Sequence, residues 1–533
     1  MEHMPEQEKK QKEQKKLSID ELATFCKRKG LVYANSDIYG GLSGFFDYGP
    51  LGVELKNNIK HEWWKAHVRS RSDVVGIDGS IITHSKVWEA SGHVANFTDA
   101  MAKCGKCGNS TRADHAVEDK AKVSTAGMNA QQIGELIAKH KIKCPRCGAD
   151  ALKIAQPFNL MFKTAVGPSE GKEAETYLRP ETAQLIFADF KLVQENARMK
   201  LPFGIAQIGK AFRNEIAPRD FLFRCREFEQ MEIEYFVHPK KIEECHYINE
   251  FSGHELNVLT SDMQKKEQQN FFTEKGSSKS EQHHKKMKVE EMLDKKLILP
   301  WHAYWLAFEH QWLVNLGAKA DNLRIRQHVK DEKSHYATDT WDLEYNFPFG
   351  WKELEGIANR ADYDLQQHIK VSGKDLSYFD PETNTKVVPY VVAEPSLGVD
   401  RTFLVFLFDA YEYDSKRDNI VLHLNPKLAP IKVAVFPLLS NKDELVGMAK
   451  KISDELRQEF ACLYDEAGSI GKRYARMDEA GTPYCITIDF DSLQKHDVTI
   501  RERDSTRQAR VKTKELANVL WQLLSGKISF DKL

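Results

Sequence analysis

The segment Ile205-Ala-Gln-Ile-Gly-Lys-Ala-Phe-Arg-Asn-Glu215 is followed, after a Pro218-Arg219-Asp220 turn, by a second segment from Phe223 to Tyr235. The first segment is predicted to be a strand. In the second, apolar side chains alternate with mostly polar ones, at Met231, Ile233, Tyr235 and Val237 against Gln230, Glu232, Glu234 and Phe236. A period of two is typical of a strand with one face in the core. The two segments therefore predict an antiparallel hairpin that carries chemistry on one face.

Side chains of this hairpin suit a nucleotide triphosphate, and we interpret it as part of an ATP site. An arginine such as Arg213 can hold a phosphate through its planar fork of donors, and Phe228 can stack on a purine. Glu215, two residues further along the same strand face, can accept a hydrogen bond from the adenine amino group. Far downstream, Gly398-Val399-Asp400-Arg401 precedes an apolar helix. Arg401 is predicted to cover the other side of the purine and to reach the γ-phosphate.

Length and composition limit the class of protein. The 533 residues predict several domains, and the 41% hydrophobic and 29% charged residues are typical of a globular protein. The net charge of -1 gives no global attraction to a polyanion, so a nucleic-acid surface must be local. No stretch has the apolar length of a membrane span or the apolar core of a signal peptide. We therefore expect a cytoplasmic protein without a membrane partner.

Two segments are too polar to form a core. Residues 1–17 are rich in Lys, Gln and Glu and predict a charged tail. Such a tail is either solvated or in contact with RNA, and both alternatives are open. Residues 263–296 are again hydrophilic and predict a partly helical surface insertion, within a helical and charged segment of about 240–320.

Four of the nine cysteines form two C-x-x-C pairs, Cys104/Cys107 and Cys144/Cys147. Each pair has the form of a zinc knuckle, and four thiolates make a closed structural site with no open position for catalytic water. The long spacing between the pairs predicts a helix over about 129–140. We therefore expect structural Zn²⁺ in an insertion over residues 101–150, in a reducing compartment.

These motifs, with several others, resemble those of class II aminoacyl-tRNA synthetases, and within that class the homodimeric glycyl-tRNA synthetase family. The motifs are Phe46-Asp-Tyr-Gly-Pro-Leu-Gly52, Trp88-Glu-Ala-Ser-Gly-His93, Arg179-Pro-Glu-Thr-Ala-Gln184, the Arg213 hairpin, Glu353-Leu-Glu-Gly356 and Glu394-Pro-Ser-Leu-Gly-Val-Asp-Arg401. They cover the chain from about residue 20 onward. One departure is the absence, between Asp73 and Ser85, of the proline usual in the first class II motif.

The resemblance implies an α+β fold, with an antiparallel sheet flanked by helices over residues 18–425 and an α/β anticodon-binding domain over residues 430–533. It implies a homodimer whose partners are ATP, glycine and tRNA(Gly), with Mg²⁺ bound together with ATP. The catalytic residues implied are Arg213 and Arg401. The ATP-binding residues implied are Arg213, Asn214, Glu215, Phe223, Arg224, Cys225, Arg226, Glu227, Phe228, Glu353, Leu354, Gly398, Val399, Asp400 and Arg401.

The glycine-binding residues implied by the resemblance are unusually acidic. They are Arg112, Glu181, Phe228, Glu229, Gln230, Met231, Glu232, Glu394, Pro395, Ser396, Leu397 and Gly398. Carboxylates that converge on an ammonium group orient a substrate without needing a pocket for its side chain. Glu353 and Glu355, on a predicted strand, could share Mg²⁺, because hard cations take carboxylate oxygens. Glu353 is the first candidate of the two.

The chain after residue 430 alternates apolar strands with amphipathic helices. The predicted strands are 432–439, 462–465, 484–489 and 497–503, and the predicted helices are 443–460, 469–479 and 511–524. The basic residues between Arg501 and Lys514 suit phosphate contacts, but a solvated, mixed-charge helix start accounts for them nearly as well.

Two other functions remain open at this point. A non-catalytic relative would use the fold to bind nucleic acid, although retention of a magnesium carboxylate beside two phosphate arginines argues against it. A class II synthetase for another amino acid would need a pocket with side-chain contacts in place of so many carboxylates.

Overall fold

The computed structural model describes residues 17–121, 125, 128–168, 174–265, 284–332 and 337–533. The predicted tail therefore lies almost entirely outside the described residues, as does most of the predicted insertion at 263–296. Within the described ranges, no helix has the length and apolar character needed to cross a membrane.

A nine-stranded sheet lies at the centre of the part of the chain before residue 430. Its strands, in spatial order, are Lys285–Lys288, Glu255–Leu259, Leu323–Gln327, Asp339–Phe347, Gly350–Asn359, Tyr390–Gly398, Glu227–Val237, Phe203–Phe212 and Val74–Ile77. Neighbours are antiparallel except for one parallel pair near each edge. Because one face of each central strand is apolar, helices cover that face: Pro50–Trp64, Pro300–Asn315 and Val399–Ala410 share its core. Helices Ala183–Asn196 and Tyr363–Ser372 pack at the other face. This confirms the predicted α+β fold.

The predicted hairpin is present, but its first strand ends at Phe212 rather than Glu215. Arg213 and Glu215 lie in the connection, where the Arg213 amide donates to the carbonyl of Arg226 at 2.8 Å. Pro218 lacks an amide donor, and Asp220 and Phe221 have positive φ, so the ladder cannot continue through this segment.

The cysteine-containing segment is a small separate layer. Strands Met101–Cys104, Ser110–Arg112 and Leu152–Ile154 form its sheet, and helices Ala113–Ala121 and Ala130–Lys139 cover it. Asn129 caps the second helix by accepting from the Gln132 amide at 3.0 Å. The helix predicted between the cysteine pairs is confirmed.

The segment predicted as a helical, charged insertion contributes to the main sheet instead. Strands Glu255–Leu259 and Lys285–Lys288 pair at the sheet edge, and helix Val289–Asp294 follows them. Helix Pro300–Asn315 is buried along most of its length. Its apolar residues pack in the main core.

The remaining helices and strands before residue 430 have at most eleven residues each. They are helices Ile19–Lys29, Ser85–Ala90 and His93–Asn96 and strands Val32–Ala34, Phe46–Tyr48, Ile82–Thr83, Thr98–Asp99, Phe158–Asn159, Lys163–Ala165, Glu175–Leu178, Tyr378–Asp380, Thr385–Val387, Tyr411–Asp414 and Asn419–Leu422.

Residues after 430 form a five-stranded sheet with its own core. The strands in spatial order are Cys462–Tyr464, Val433–Pro437, Tyr484–Ile488, Asp497–Glu502 and Gln508–Lys512, and the helices are Asp443–Leu456, Ile470–Ala480, Phe490–Lys495 and Leu516–Leu524. The predicted helix 511–524 is wrong at its start, because Gln508–Lys512 pairs with Asp497–Glu502 as a hairpin.

The basic stretch of this hairpin is held in ion pairs. Arg501 donates to Asp478 at 2.8 Å, Arg510 to Asp489 at 2.8 Å, and Arg503 to Asp504 at 2.7 Å. Arg507 is paired with Asp531, and Lys512 lies 3.8 Å from Asp497. The interpretation as a helix start is wrong, because Gln508–Lys512 is a strand; the contact with phosphates stays a prediction.

Candidate active site

A cavity of about 330 Å³ lies on the polar face of the nine-stranded sheet. Its floor consists of alternate residues of the central strands, because every second side chain of a strand points to the same face. Of the predicted site residues, it is lined by Glu181, Arg213, Glu215, Phe223, Arg224, Cys225, Phe228, Gln230, Glu232, Glu353, Leu354, Glu394, Ser396, Gly398, Asp400 and Arg401.

Because side chains alternate between the two faces of a strand, other residues predicted for the site lie outside the cavity. Glu229, Met231, Pro395, Leu397 and Val399 do not line it. Met231, Leu397 and Val399 are fully buried in the core, and Glu229 lies 3.1 Å from each of two lysines, Lys56 and Lys60.

Four more predicted residues are outside the cavity. Arg226 donates to the carbonyls of Glu215 and Ser43, and Glu227 is paired with Lys210. Arg112 is bound to Asp99 at 2.7 Å and comes within 4.0 Å of Glu215. The Asn214 amide donates to the carbonyl of Leu160. Arg112 and Arg226 therefore support the cavity wall without lining it.

Arg213 and Arg401, distant in sequence, line this one cavity. Nε of Arg213 donates to the carbonyl of Pro180 at 3.0 Å, and its guanidinium lies 5.2 Å from the ring centroid of Phe228. Arg401 donates to the carbonyl of Glu353 at 2.9 Å and lies 4.5 Å from the ring centroid of Phe223. Two cations and two aromatic faces thus surround the space predicted for a nucleotide.

Beside the arginines is a cluster of carboxylates formed by Glu181, Glu232 and Glu394. Ser396 Oγ donates to Glu232 Oε1 at 2.7 Å, and Thr182 donates to the other oxygen of Glu232. All three carboxylates line the same cavity as Arg213 and Arg401.

The comparisons with known proteins agree with this geometry. Residues 162–252 match a family model described as the tRNA synthetase class II core domain (G, H, P, S and T), and residues 432–523 match one described as an anticodon binding domain. A protein named glycine–tRNA ligase from Caldanaerobacter subterraneus subsp. tengcongensis is 46% identical over 93% of this chain and 96% of its own length. The chain belongs to the glycine–tRNA ligase family.

Other members give the same coverage. The glycine–tRNA ligase of Geobacillus kaustophilus is 45% identical over 96% of this chain and 100% of its own, and that of Thermobifida fusca is 44% identical over 96% and 98%. Alignment over nearly full length includes both the class II core and the C-terminal domain.

Two residues that contact the carboxylate cluster were not assigned a role from the sequence. Arg360, 1% exposed, donates to Glu394 at 2.7 Å and to both oxygens of Asp364 at 2.7 and 2.8 Å. His93 Nε2 lies 3.2 Å from Glu181. Nothing in the local sequence indicates that Arg360 contacts the cluster, because it is a single arginine after a strand. His93 could have been assigned to the site, because it ends a motif that the family shares.

The three carboxylates of the cluster differ in their pKa values. Burial raises the pKa of Glu181, but His93 and Arg360 lower it by more, so the net pKa lies well below its usual value. Burial raises the pKa of Glu394 well above its usual value despite Arg360, and burial with the charge of Glu181 raises the pKa of Glu232. An arriving ammonium group would favour the ionised form of both.

Glu234 lies two residues after Glu232 on the same face of its strand. Its burial leads to a prediction of how stability depends on pH. It is 0% exposed, its carboxylate oxygens have no hydrogen-bond partner among the described residues, and burial followed by Glu394 raises its pKa well above the usual value. The folded state therefore binds this proton more tightly than the unfolded state, and stability falls as pH rises above about 4.3 towards the folded pKa, by up to about 1.4 kcal/mol per pH unit. The free energy of unfolding, measured with urea, should therefore change less between acidic and alkaline pH in Glu234→Gln than in the parent protein.

The matched control is Glu227→Gln, which removes a partly exposed carboxylate from the same strand. It should keep the pH slope of the parent protein. An unchanged slope in Glu234→Gln would contradict the assignment.

The two candidate magnesium residues face opposite sides of the sheet. The pairing of Asp339–Phe347 with Gly350–Asn359 skips Leu354, so a β-bulge interrupts the alternation. Glu353 faces the cavity, whereas Glu355 is 0% exposed and its oxygens have no partner among the described residues. The suggestion that Glu355 shares a metal ion with Glu353 is wrong.

His328, Thr340 and Asp342 also line the cavity and were not predicted. His328 Nε2 lies 2.8 Å from Asp342 Oδ2. Thr340 and Asp342 lie in strand Asp339–Phe347, and His328 directly follows strand Leu323–Gln327; sequence reasoning gave none of the three a role at the site.

The four motif cysteines meet in one cluster. Sγ of Cys104 lies 3.7 Å from that of Cys147, Sγ of Cys107 lies 3.7 Å from that of Cys144, and all four sulfurs are within 4.8 Å of one another. Four sulfurs placed tetrahedrally at about 2.3 Å from a zinc ion would be about 3.8 Å apart. The cluster therefore has the dimensions of a metal site.

Proposed function

We propose that this protein ligates glycine to tRNA(Gly) in two steps, activation with ATP and transfer to the tRNA. The observation that carries the proposal is the meeting of Arg213 and Arg401 in one cavity beside Glu181, Glu232 and Glu394. Family membership over nearly the full chain supports it.

In the first step, a carboxylate oxygen of glycine attacks the α-phosphorus of ATP, the bond to the bridging oxygen breaks, and pyrophosphate leaves. Arg213 holds the α-phosphate and the reacting carboxylate, and Arg401 holds the γ-phosphate. The protein aligns the reactants and supplies positive charge, so a nucleophilic side chain is not required. Glu353 would hold Mg²⁺, whose charge offsets that of the phosphates.

The purine is assigned to the side of the cavity with Phe228 and Glu215. Phe228 offers a stacking face, and Glu215 accepts from the adenine amino group. Phe223 already lies under Arg401, so this pair closes the opposite side.

Glycine is selected by charge and by exclusion. Its ammonium group is held by Glu181, Glu232 and Glu394, and Ser396 orients Glu232 through the 2.7 Å hydrogen bond. A methyl group on the α-carbon would overlap this wall of side chains. Overlap discriminates more strongly than an incompletely filled pocket, so we expect no editing site.

In the second step, a hydroxyl of the 3'-terminal ribose attacks the acyl carbonyl, the bond to the phosphate breaks, and AMP leaves. We assign the proton to the phosphate of the adenylate rather than to a side chain, because the motifs supply no positioned general base.

The test of this function is ATP–pyrophosphate exchange across a panel of amino acids. Glycine should support exchange, and alanine and serine should remain at background. Exchange with another amino acid instead of glycine would favour a synthetase of different specificity. Absence of exchange with every amino acid would favour a non-catalytic relative.

We also propose that the metal in the cysteine cluster is structural zinc. Metal analysis of protein purified without chelator should find about one zinc ion per chain, because four thiolates close the coordination shell. A Cys144→Ser, Cys147→Ser variant should contain none, and Cys462→Ser, outside the cluster, should contain as much as the parent protein. Unmutated protein that holds no zinc would end this proposal.

We assign residues 18–425 to the catalytic domain and residues 430–533 to anticodon binding, in agreement with the match at 432–523.

We further propose a cytoplasmic homodimer. Its mass by light scattering, expected at twice the 61.2 kDa of one chain, tests the dimer.

A further inference from the structure

The small layer that holds the cysteine cluster contacts the wall of the candidate active site through helix Ala113–Ala121. Nε2 of His115, in the first turn of this helix, lies 3.2 Å from Nη1 of Arg224. The side chain of Arg224 lines the cavity. The contact therefore joins the layer to an arginine of the site that is 109 residues away in sequence.

The direction of this hydrogen bond follows from the chemistry of its two groups. A guanidinium carries five donors and no acceptor, so Nε2 of His115 must accept the hydrogen bond and the imidazole must be neutral. Burial, with the charges of Arg112 and Arg224, lowers the pKa of His115 to about 3, although Asp114 opposes this shift. The ring is therefore a neutral acceptor at neutral pH and does not repel Arg224.

His115 is itself held in place by its own layer. Its backbone amide donates to Oδ1 of Asp114 at 2.8 Å, and Asp114 accepts two further hydrogen bonds from Arg112. Ala113 and Val117, two residues before and after His115, are fully buried in the core of the layer. The position of the imidazole is thus determined by the packing of this layer.

Arg224 differs from the other two arginines of the cavity in how it is held. Arg213 and Arg401 each donate to a backbone carbonyl, whereas the guanidinium of Arg224 donates to none within the described residues. Its Nε lies 3.7 Å from Oε1 of Glu215, which is too long for a hydrogen bond. His115 is therefore the acceptor that fixes Arg224, and Nη2 of Arg224 makes no hydrogen bond in the part of the chain that the structure describes.

We propose that His115 is a positioning residue, which holds the guanidinium of Arg224 towards the β- and γ-phosphates of ATP. This inference rests on the proposed function, which supplies ATP and assigns the α-phosphate to Arg213. An acceptor on one side of a guanidinium leaves the donors of the other side for phosphate oxygens. A guanidinium that is already oriented loses less conformational freedom when the nucleotide binds.

The experiment measures glycine-dependent ATP–pyrophosphate exchange in His115→Ala, with ATP and glycine varied separately. The KM for ATP should rise roughly tenfold, as expected for the loss of one hydrogen bond to a charged group. The KM for glycine should be unchanged, because the carboxylate cluster does not contact His115. His115→Gln keeps an acceptor near the position of Nε2 and should restore most of the affinity for ATP.

A double-mutant cycle tests whether His115 acts through Arg224. Arg224→Ala should itself raise the KM for ATP, and addition of His115→Ala to that variant should cause no further rise, because the two residues share one interaction. Independent effects that multiply in the double variant would overturn the proposal.

The matched control is His140→Ala, which removes an exposed histidine from the other helix of the same layer. It should keep both KM values of the parent enzyme. An unchanged KM for ATP in His115→Ala, or equal rises in the KM for ATP and for glycine, would overturn the role of His115. Absence of glycine-dependent exchange in the parent enzyme would instead overturn the proposed function.

If His115→Ala unfolded the layer, His115→Phe would decide. Phenylalanine keeps a ring at this position and removes the acceptor. This variant should unfold in urea like the parent protein and still show the raised KM for ATP, and a parent-like KM for ATP would overturn the proposal.

Discussion

Arg213→Ala is expected to reduce glycine-dependent ATP–pyrophosphate exchange roughly 10³-fold, the lower end of the effect of a phosphate-binding arginine in phosphoryl transfer. In the structure the guanidinium of Arg213 lies 5.2 Å from the ring centroid of Phe228, and its Nε donates to the carbonyl of Pro180 at 3.0 Å. Its terminal nitrogens are the donors that we assign to the α-phosphate. The loss should appear mainly in kcat, because the arginine stabilises the negative charge that develops on the phosphate oxygens in the transition state.

The control for this variant is Arg219→Ala, which removes an arginine from the same connection. Its side chain is 42% exposed, and its guanidinium lies 3.6 Å from each of its two acidic partners. These long contacts do not fix its position. It should exchange like the parent enzyme. Near-normal exchange in Arg213→Ala, measured at saturating glycine and ATP, would refute the assignment of this arginine.

Arg360→Met is expected to destabilise the protein by about 3–5 kcal/mol and to raise the KM for glycine. Removal of one partner from a buried ion pair leaves uncompensated charge in a low-dielectric interior, which accounts for that range. Here one arginine serves both Glu394 and Asp364. The protein can respond by protonating Glu394, and a neutral carboxyl group holds the ammonium of glycine less tightly than a carboxylate.

Arg324→Met separates these two effects. Arg324 is also 1% exposed and donates to Glu344 at 2.7 Å, but it does not line the cavity. This variant should lose comparable stability in urea unfolding and keep the parent KM for glycine in the exchange assay. If Arg360→Met lowered stability without a change in KM, Arg360 would have a structural role alone.

The elements that sequence reasoning placed correctly are those with a local signal. Alternation of apolar side chains from Met231 onward predicted the site strand, and the long spacing between the cysteine pairs predicted the helix that Asn129 caps in the structure. The errors occurred where a long-range contact changes a local pattern. Glu353 and Glu355 looked like one face of a strand until the bulge at Leu354, and Val511 looked like the start of a helix until its pairing with Val498.

The amino-acid sequence by itself determined the family, the two sheets and the two arginines of the cavity, because motif spacing and periodicity are properties of the chain read in order. The tertiary structure alone decided which charges meet: Arg360 with Glu394, His93 with Glu181, and Arg501 with Asp478. Each pair joins residues from different elements. Their electrostatic energy depends on distance and burial, and both quantities exist only once the chain has folded.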